Sequence, residues 1–490
     1  MNAMCVLPFC ILACMSYIAK KDLFRTKPLL EYLLNRCTLG NSSGYIFYLV
    51  LVVLALIGIL GYITFTNQGQ TQVLAARELK KLQTSLLAES GLSKAQYFLN
   101  GGDPKGIMWE TRGMDDSIAG KGTIHVSAIR FGGFTKMSSA GTRFGMTCSI
   151  AGVAGRDLMD EMKPVITLTG GIPGLVLDES TTITGNIVLS GGYLARGKNK
   201  QPVKDAQKWV AVKKSPRLPF DVMPLKMFID TLSAGRISSL SSPRAYQGSL
   251  TIDNTNDTII KNRDSLVVLG NCTISGGQFS GKTIICAGFM SVGEKVECSD
   301  VAFLAESLEV KGGKSDLCLF CSDRNMKING GNHNSQFIST DTIFVAKEAT
   351  FKKLTVWMSF RTLKRDTLKT GGVVFAGNGN YSGCCLSFQD STQKEKRVPD
   401  MTAVLLGKNS TYCGSIITDG NIEINTNSIA GHVWAGLIKT TEENKMQYVN
   451  FLFRTKVKAP VKEPPFLLVG GPPVKLSIEG MRREYGKSGK

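Results

Sequence analysis

The sequence predicts a mainly β protein with one N-terminal transmembrane helix, a long helical stem, a small antiparallel β region and a β-solenoid of about 18 residues per coil. Three observations carry this: a 21-residue uncharged run, a leucine pattern at helical spacing directly after it, and apolar columns that recur every 18 residues. The chain has 490 residues, 43% apolar and 20% charged, which excludes a solvated disordered polymer. Its 52 glycines follow no collagen period and point to many turns. A net charge of +19 favours an anionic partner or surface.

The run Tyr45–Phe65 is long enough for a ~30 Å hydrocarbon core at ~1.5 Å per residue, and Tyr45, Tyr48 and Tyr62 lie near its ends, where amphipathic rings prefer the interface. Before it, Lys20, Lys21, Arg25, Lys27 and Arg36 outweigh Asp22 and Glu31; after it, residues 66–90 are nearly neutral. The positive-inside rule therefore places the N-terminal flank in the cytoplasm and the bulk of the chain in the periplasm or outside. The apolar segment 1–19 lacks a basic start and reads as a second span, a leader, or translation from upstream of the true start. From Asn67 to Asn100, Val73, Leu74, Leu79, Leu82, Leu86, Leu87 and Leu92 recur at helical spacing until Gly101-Gly102-Asp103-Pro104 stops the pattern. The span (45–65) and the stem (66–100) read as one helix, whose outer half must pack on the chain's own head or on neighbouring copies.

The polar Asn41-Ser42-Ser43-Gly44 leading into the apolar run, the Ala88-Glu89-Ser90-Gly91 of the stem, and alternating segments Gly122–Phe131, Phe134–Ala140 and Arg143–Val153 together resemble type IV minor pilins and secretion pseudopilins. Ser138-Ser139-Ala140-Gly141 is similar to the Ser-x-Gly turn of such heads. The resemblance covers about residues 41–157. It implies a processing site that maps best onto Gly44–Tyr45 after a 44-residue leader, or less well onto Gly40, and partners among pilin-like subunits or secretion machinery. Leu49 stands where that family usually carries a glutamate.

The solenoid signal follows. Val267, Ile285, Phe303 and Cys321 are spaced by 18, as are Cys272, Met290, Leu308 and Met326, and Ile274, Val292, Val310 and Ile328. A fixed period of this kind means stacked coils, each covering the apolar face of the next. The small β region is expected over 101–165 and the solenoid over 166–440, with Phe344 and Phe351 continuing the columns. Insertions are expected near 193–247 and 352–400, and a basic Pro-rich tail over 441–490. The coils resemble bactofilin-like or pectin-lyase-like β-helices; 18 residues suit left-handed hexapeptide coils and right-handed coils alike, and the irregular third side leans toward the right-handed wrap.

No catalytic set, cofactor motif or metal centre is expected. The three histidines are scattered, Cys318-Leu-Phe-Cys321 has no second pair at zinc spacing, and the ectodomain cysteines read as buried small hydrophobes with at most one or two disulfides. Asp115-Asp116 and Asp157/Asp160-Glu161 read as loop charges. Two basic clusters stand out as ligand-contact surfaces: Arg196, Lys198, Lys200, Lys204, Lys208, Lys213, Lys214 and Arg217, then Lys352, Lys353, Arg361, Lys364, Arg365 and Lys369. Their chemistry suits lipid headgroups, anionic glycan or extracellular DNA, with Trp357 and Phe360 placed to stack on sugars or bases. The expected role is a structural surface protein of a bacterial envelope, anchored in the bilayer and displaying the solenoid for filament assembly or adhesion. The alternatives are a tethered β-helix that binds or cleaves anionic polysaccharide, and a bactofilin-like polymerising scaffold.

Overall fold

The computed structural model describes residues 42–97, 112–118, 122–131, 133–156, 158–170, 174–197, 201–202, 209–212, 216–219, 222–361, 370–389, 402–441, 447–460 and 476–487. The segment 1–41 lies outside them. Helix α1 runs unbroken from Ser42 to Tyr97, ~84 Å at 1.5 Å per residue. The run is free of proline, and Thr64, Thr66 and Thr71 donate their hydroxyls to carbonyls four residues back, so these polar groups are satisfied within the helix. Its most apolar eighteen residues have a mean hydropathy of 2.6 and none is buried, so this helix is long and apolar enough to cross a membrane.

The last turns of α1 dock on an antiparallel sheet. Strands β1 (Arg112–Ile118), β2 (Gly122–Phe131), β3 (Phe134–Arg143) and β4 (Met146–Arg156) form a meander, and the strand Leu476–Lys487 completes it beside β4. Leu87, Ala88, Leu92 and Ala95 bury against Ile124, Val126, Met137, Cys148 and Ile150. The approach is close because glycine sits on both sides. A Cβ on Gly91 would lie 2.5 Å from Ile124, and one on Gly141 2.6 Å from the backbone of Ala88. Ser138–Gly141, expected as a turn, is instead the middle of β3. The C-terminal region, expected as a tail, returns at 476–487 as the fifth head strand. The solenoid is thus an insertion between two neighbouring strands of the head sheet.

The solenoid has about 12 turns spaced ~19 residues, built from three parallel walls. Two of the three expected columns are observed in full register: Cys272, Met290, Leu308 and Met326, and Ile274, Val292, Val310 and Ile328. The third slips by one. Leu266, Ile284, Phe303, Phe320, Phe337 and Trp357 point inward, while Val267, Ile285, Leu304, Cys321 and Ile338 point outward from the same wall. Because strand side chains alternate, a one-residue change in coil length moves the 18-residue spacing from one face to the other, and the expected column mixed them. Phe344 is likewise outside; Ile343 and Val345 are its inward neighbours.

The chain does not climb the stack in sequence order. Ile166–Leu168 pairs with Ser428–Ala435 on one side and Ile187–Leu189 on the other, and Thr182–Thr184 pairs with Lys456–Lys458. The first coils therefore cover the last ones. Between them helix α2 (Met223–Leu240), opened by Pro224, lies on the outward apolar wall near Ser265–Val268, Thr283–Cys286 and Ala302–Ala305. Arg236 of α2, itself buried, donates from Nε to Asp323 at 2.8 Å and from Nη1 to the carbonyls of Cys286 and Ala287 at 3.3 and 3.2 Å. Farther along, the same wall is covered by the head: Phe134 and Val153 join its apolar cluster, and the amide of Gly133 donates to Gln336 Oε1 at 2.7 Å. The region 193–247 is therefore part coil and part covering helix. The region 352–400, expected as an insertion, supplies the wall strands Val356–Arg361, Thr370–Phe375 and Asn380–Gln389, and its coils are lengthened, with Ile343 pairing with Val373 and Val373 with Val404; residues 362–369 and 390–401 lie outside the described residues. Strands also continue past 440, at Gln447–Val449 and Phe451–Leu452. At the opposite end, the short helix α3 (Thr258–Lys261) lies within the first coil and contributes Ile260 to the interior cluster.

Candidate functional site

One wall keeps its outward face uncovered and polar. Successive coils place Gln278, Glu297, Lys314 and Asn332 in one row, and Ser280, Ser299, Asp316 and Asn334 in a second row two residues on. Side chains in one row sit a strand spacing apart, ~4.8 Å, so they bond along the solenoid axis. Gln278 Nε2 donates to Glu297 at 3.0 Å, Lys314 Nζ donates to Glu297 at 2.8 Å, and Asn334 Nδ2 donates to Asp316 at 2.8 Å. Two contiguous grooves of about 520 and 490 Å³ follow these rows.

The electrostatics of the groove are mutual. The hydrogen bond and charge of Lys314 hold the Glu297 carboxyl below its ordinary range, and Glu297 raises the Lys314 ammonium in return. At neutral pH the pair is fully ionised, so Glu297 has no proton to give as a general acid.

A serine–histidine relay does exist one layer inward. Burial lowers His333 to about 4, so its ring is neutral and carries one N–H. The carbonyl of Gly330, 2.8 Å from Nε2, only accepts, which puts that proton on Nε2. Nδ1 then accepts from Ser315 at 2.8 Å, and Ser315 accepts from Ser335 at 2.8 Å. The relay is sealed among Phe337 and Phe351 and works as a satisfied interior network.

The residues singled out in sequence are dispersed. Trp357 and Phe360 are buried, Trp357 in the solenoid interior and Phe360 in the covered outer cluster, so neither is a stacking platform. Cys318 points into the interior from the bend between two walls and Cys321 points outward from the wall that follows, so the two thiols face apart. The nine cysteines from Cys148 to Cys413 are thiols, eight of them buried. Asp160 is an exposed turn residue paired with Lys163 at 2.6 Å. Of the basic clusters, Arg196 ends a strand near the last-stacked coils and donates to the carbonyl of Glu179, Arg217 is exposed, and Lys352 and Lys353 occupy a turn in mid-stack, where Lys352 lines the second groove. Arg361 is described in its backbone alone. Lys198, Lys200, Lys204, Lys208, Lys213, Lys214, Lys364, Arg365 and Lys369 lie outside the described residues. Gly44 and Tyr45 fall in the first turn of α1. Sequence reasoning missed the polar rows, because their spacing is uneven from coil to coil.

No protein-family model matches the chain, and no curated protein matches it. Among solved structures, the competence-associated pilin ComZ from Thermus thermophilus aligns over 83% of this chain and 98% of its own, at 11% identity and a TM-score of 0.21.

Proposed function

We propose that the chain is a single-pass membrane protein of a bacterial cell envelope, built on a pilin- or pseudopilin-like helix-and-head plan, which holds a β-solenoid outside the bilayer for filament assembly or adhesion. The observation that carries this reading is one continuous helix. Its first part is apolar and exposed, and its last turns are packed into the sheet from which the solenoid is inserted. Such a helix transmits position rigidly from bilayer to solenoid. Display and packing are the mechanism, without a catalytic step. The charges lining the groove balance, Glu294, Glu297 and Asp316 against Lys295, Lys314 and Lys352, which gives an anionic polysaccharide no net attraction. The basic residues Arg217, Lys352 and Lys353 remain the proposed contacts for anionic surfaces.

The test is carbonate extraction of membranes from a bacterial host, followed by protease treatment of spheroplasts and N-terminal sequencing. The expected result is a membrane-retained chain whose solenoid is protease-accessible from outside, with Tyr45 as first residue if the pilin-type processing holds. Release by carbonate overturns the anchor. A membrane-retained chain still carrying residues before Gly44 keeps the anchor and overturns the processing.

A further inference from the structure

We propose that α1 pairs with the same helix of a second copy, parallel and in register, along a seam from Leu51 to Leu86. This rests on the membrane placement proposed above and adds the partner and its register. Along α1 the positions 51, 54, 58, 61, 65, 68, 72, 75, 79, 82 and 86 alternate steps of three and four, the 3.5-residue repeat of a two-helix seam. On a straight helix that line drifts ~20° per heptad, so it stays in contact only when two helices wrap left-handed around each other.

The chemistry of the seam changes where the environment does. In the apolar half it carries Gly58 and Gly61, and a Cβ on either would meet nothing within 4 Å. Nothing among the described residues therefore calls for glycine there. Between helices in lipid, where apolar burial gives no drive, small residues allow the close approach that does. Beyond the apolar run the seam turns to Leu79, Leu82 and Leu86, exposed by 56, 57 and 52%, the residues that associate in water.

The head leaves this seam open. It buries Thr84, Ala88 and Ala95, and at ~100° per residue Leu82 and Leu86 lie on the opposite side of the helix.

Self-association fits better than a foreign partner for two reasons. The line from Leu51 to Leu86 carries no charge, and the neighbouring Glu78 is tied to Lys81 at 2.6 Å, so two identical faces meet without repulsion. Where the apolar run ends the seam holds Gln68 and Gln72, whose amides both donate and accept and so pair with their own kind, fixing the register. Three leucines bury far less than the ~1,200 Å² of a stable soluble interface. Copies held in one bilayer are already co-oriented and concentrated, which supplies the difference.

The experiment is cysteine cross-linking of the full chain in membranes, in a background with Cys5, Cys10, Cys14 and Cys37 changed to serine. Gln72→Cys and Leu79→Cys lie on the seam, and Gln70→Cys lies off it. The expected result is a cross-linked homodimer at 72 and at 79, at least tenfold above the yield at 70, and lost when Leu82→Glu is added. Cross-links that form only between different heights, such as Leu79→Cys with Phe65→Cys, overturn the in-register pair in favour of a staggered array. Cross-links to another polypeptide, or yields at 72 and 79 no higher than at 70, also overturn it. Carbonate extraction of the same membranes reads the anchor separately, so loss of the seam and loss of the membrane placement are told apart.

Discussion

In the head, Gly91 and Gly141 let a helix and a sheet approach until their backbones nearly touch; in the solenoid, Gly383, Gly414 and Gly431 stack one above another on successive coils. The two arrangements use the same residue under different constraints. At Gly141 the backbone is ordinary and only space is short. At Gly414 the backbone lies at φ +137°, and a Cβ would meet the carbonyl oxygen of Gly383 at 1.9 Å, so conformation and space both demand glycine. The head contact is made once, whereas the solenoid contact is repeated and each layer rests on the one beneath. A defect in the head loosens a docking; a defect in the solenoid removes the floor of the next coil.

The largest expected effect follows from that difference. Gly414→Ala forces a disfavoured backbone and displaces the adjacent coil, a loss of about 3–5 kcal/mol, read as a fall in the urea midpoint of the detergent-solubilised chain. The solenoid should unfold first while α1 stays docked, which protease cleavage sites report. A variant whose solenoid keeps its midpoint breaks the comparison.

The solenoid interior also carries a pH dependence. His333 is buried and lowered to about 4, against an unfolded value of about 6.5. Between these values the unfolded chain binds the proton and the folded chain does not, so stability is complete above pH 6.5 and falls as pH drops toward 4. The expected loss is about 3 kcal/mol, and unfolding as a function of pH measures it. His333→Gln, which carries no titrating ring, should flatten that window. A wild-type curve with no slope between pH 6.5 and 4 would place the imidazole in water.

How much of this was legible follows the same divide. The columns through Cys272 and Ile274 were readable because their wall keeps an 18-residue step over four coils. The column through Phe303 was not, because one coil is a residue longer and the next a residue shorter, which exchanges inside for outside. Trp357 looked like a surface platform beside lysines, and its burial depends on a register that no local pattern contains. The polar rows failed for the same reason: Gln278, Glu297, Lys314 and Asn332 align only once the bulges near Gly276 and Leu317 are known. The closure of the head by Leu476–Lys487, and of the stack by Ile166–Leu189, is long-range pairing that composition does not encode.

In the head, Gly141→Ala places a methyl against the backbone of Ala88 and Thr84. The cost should be about 1–3 kcal/mol, since a docked helix can shift where a stacked coil cannot. The readout is faster proteolysis around residues 84–97 with an unchanged solenoid midpoint. An equal loss in both regions would mean that head and solenoid unfold as one unit, joined through Phe134, Val153 and the Gly133–Gln336 bond.

The smallest effect belongs to the groove. Lys314 and Glu297 are exposed on the surface, and exposed pairs contribute about 0–1 kcal/mol because water screens them and ordering two long side chains costs entropy. Lys314→Ala should therefore leave the urea midpoint nearly unchanged, while Glu297 loses the partner that holds its carboxyl low and titrates at higher pH, a shift that NMR of the side-chain carboxyl follows. Stability does not account for rows of amides, hydroxyls and paired charges kept in register along an uncovered wall, whereas the outward residues of the neighbouring wall are apolar and buried under α2 and the head. A midpoint that moved by several kcal/mol would make the rows part of the scaffold. An unmoved midpoint leaves them as a surface the solenoid presents, which is what separates a wall built to be covered from one built to be met.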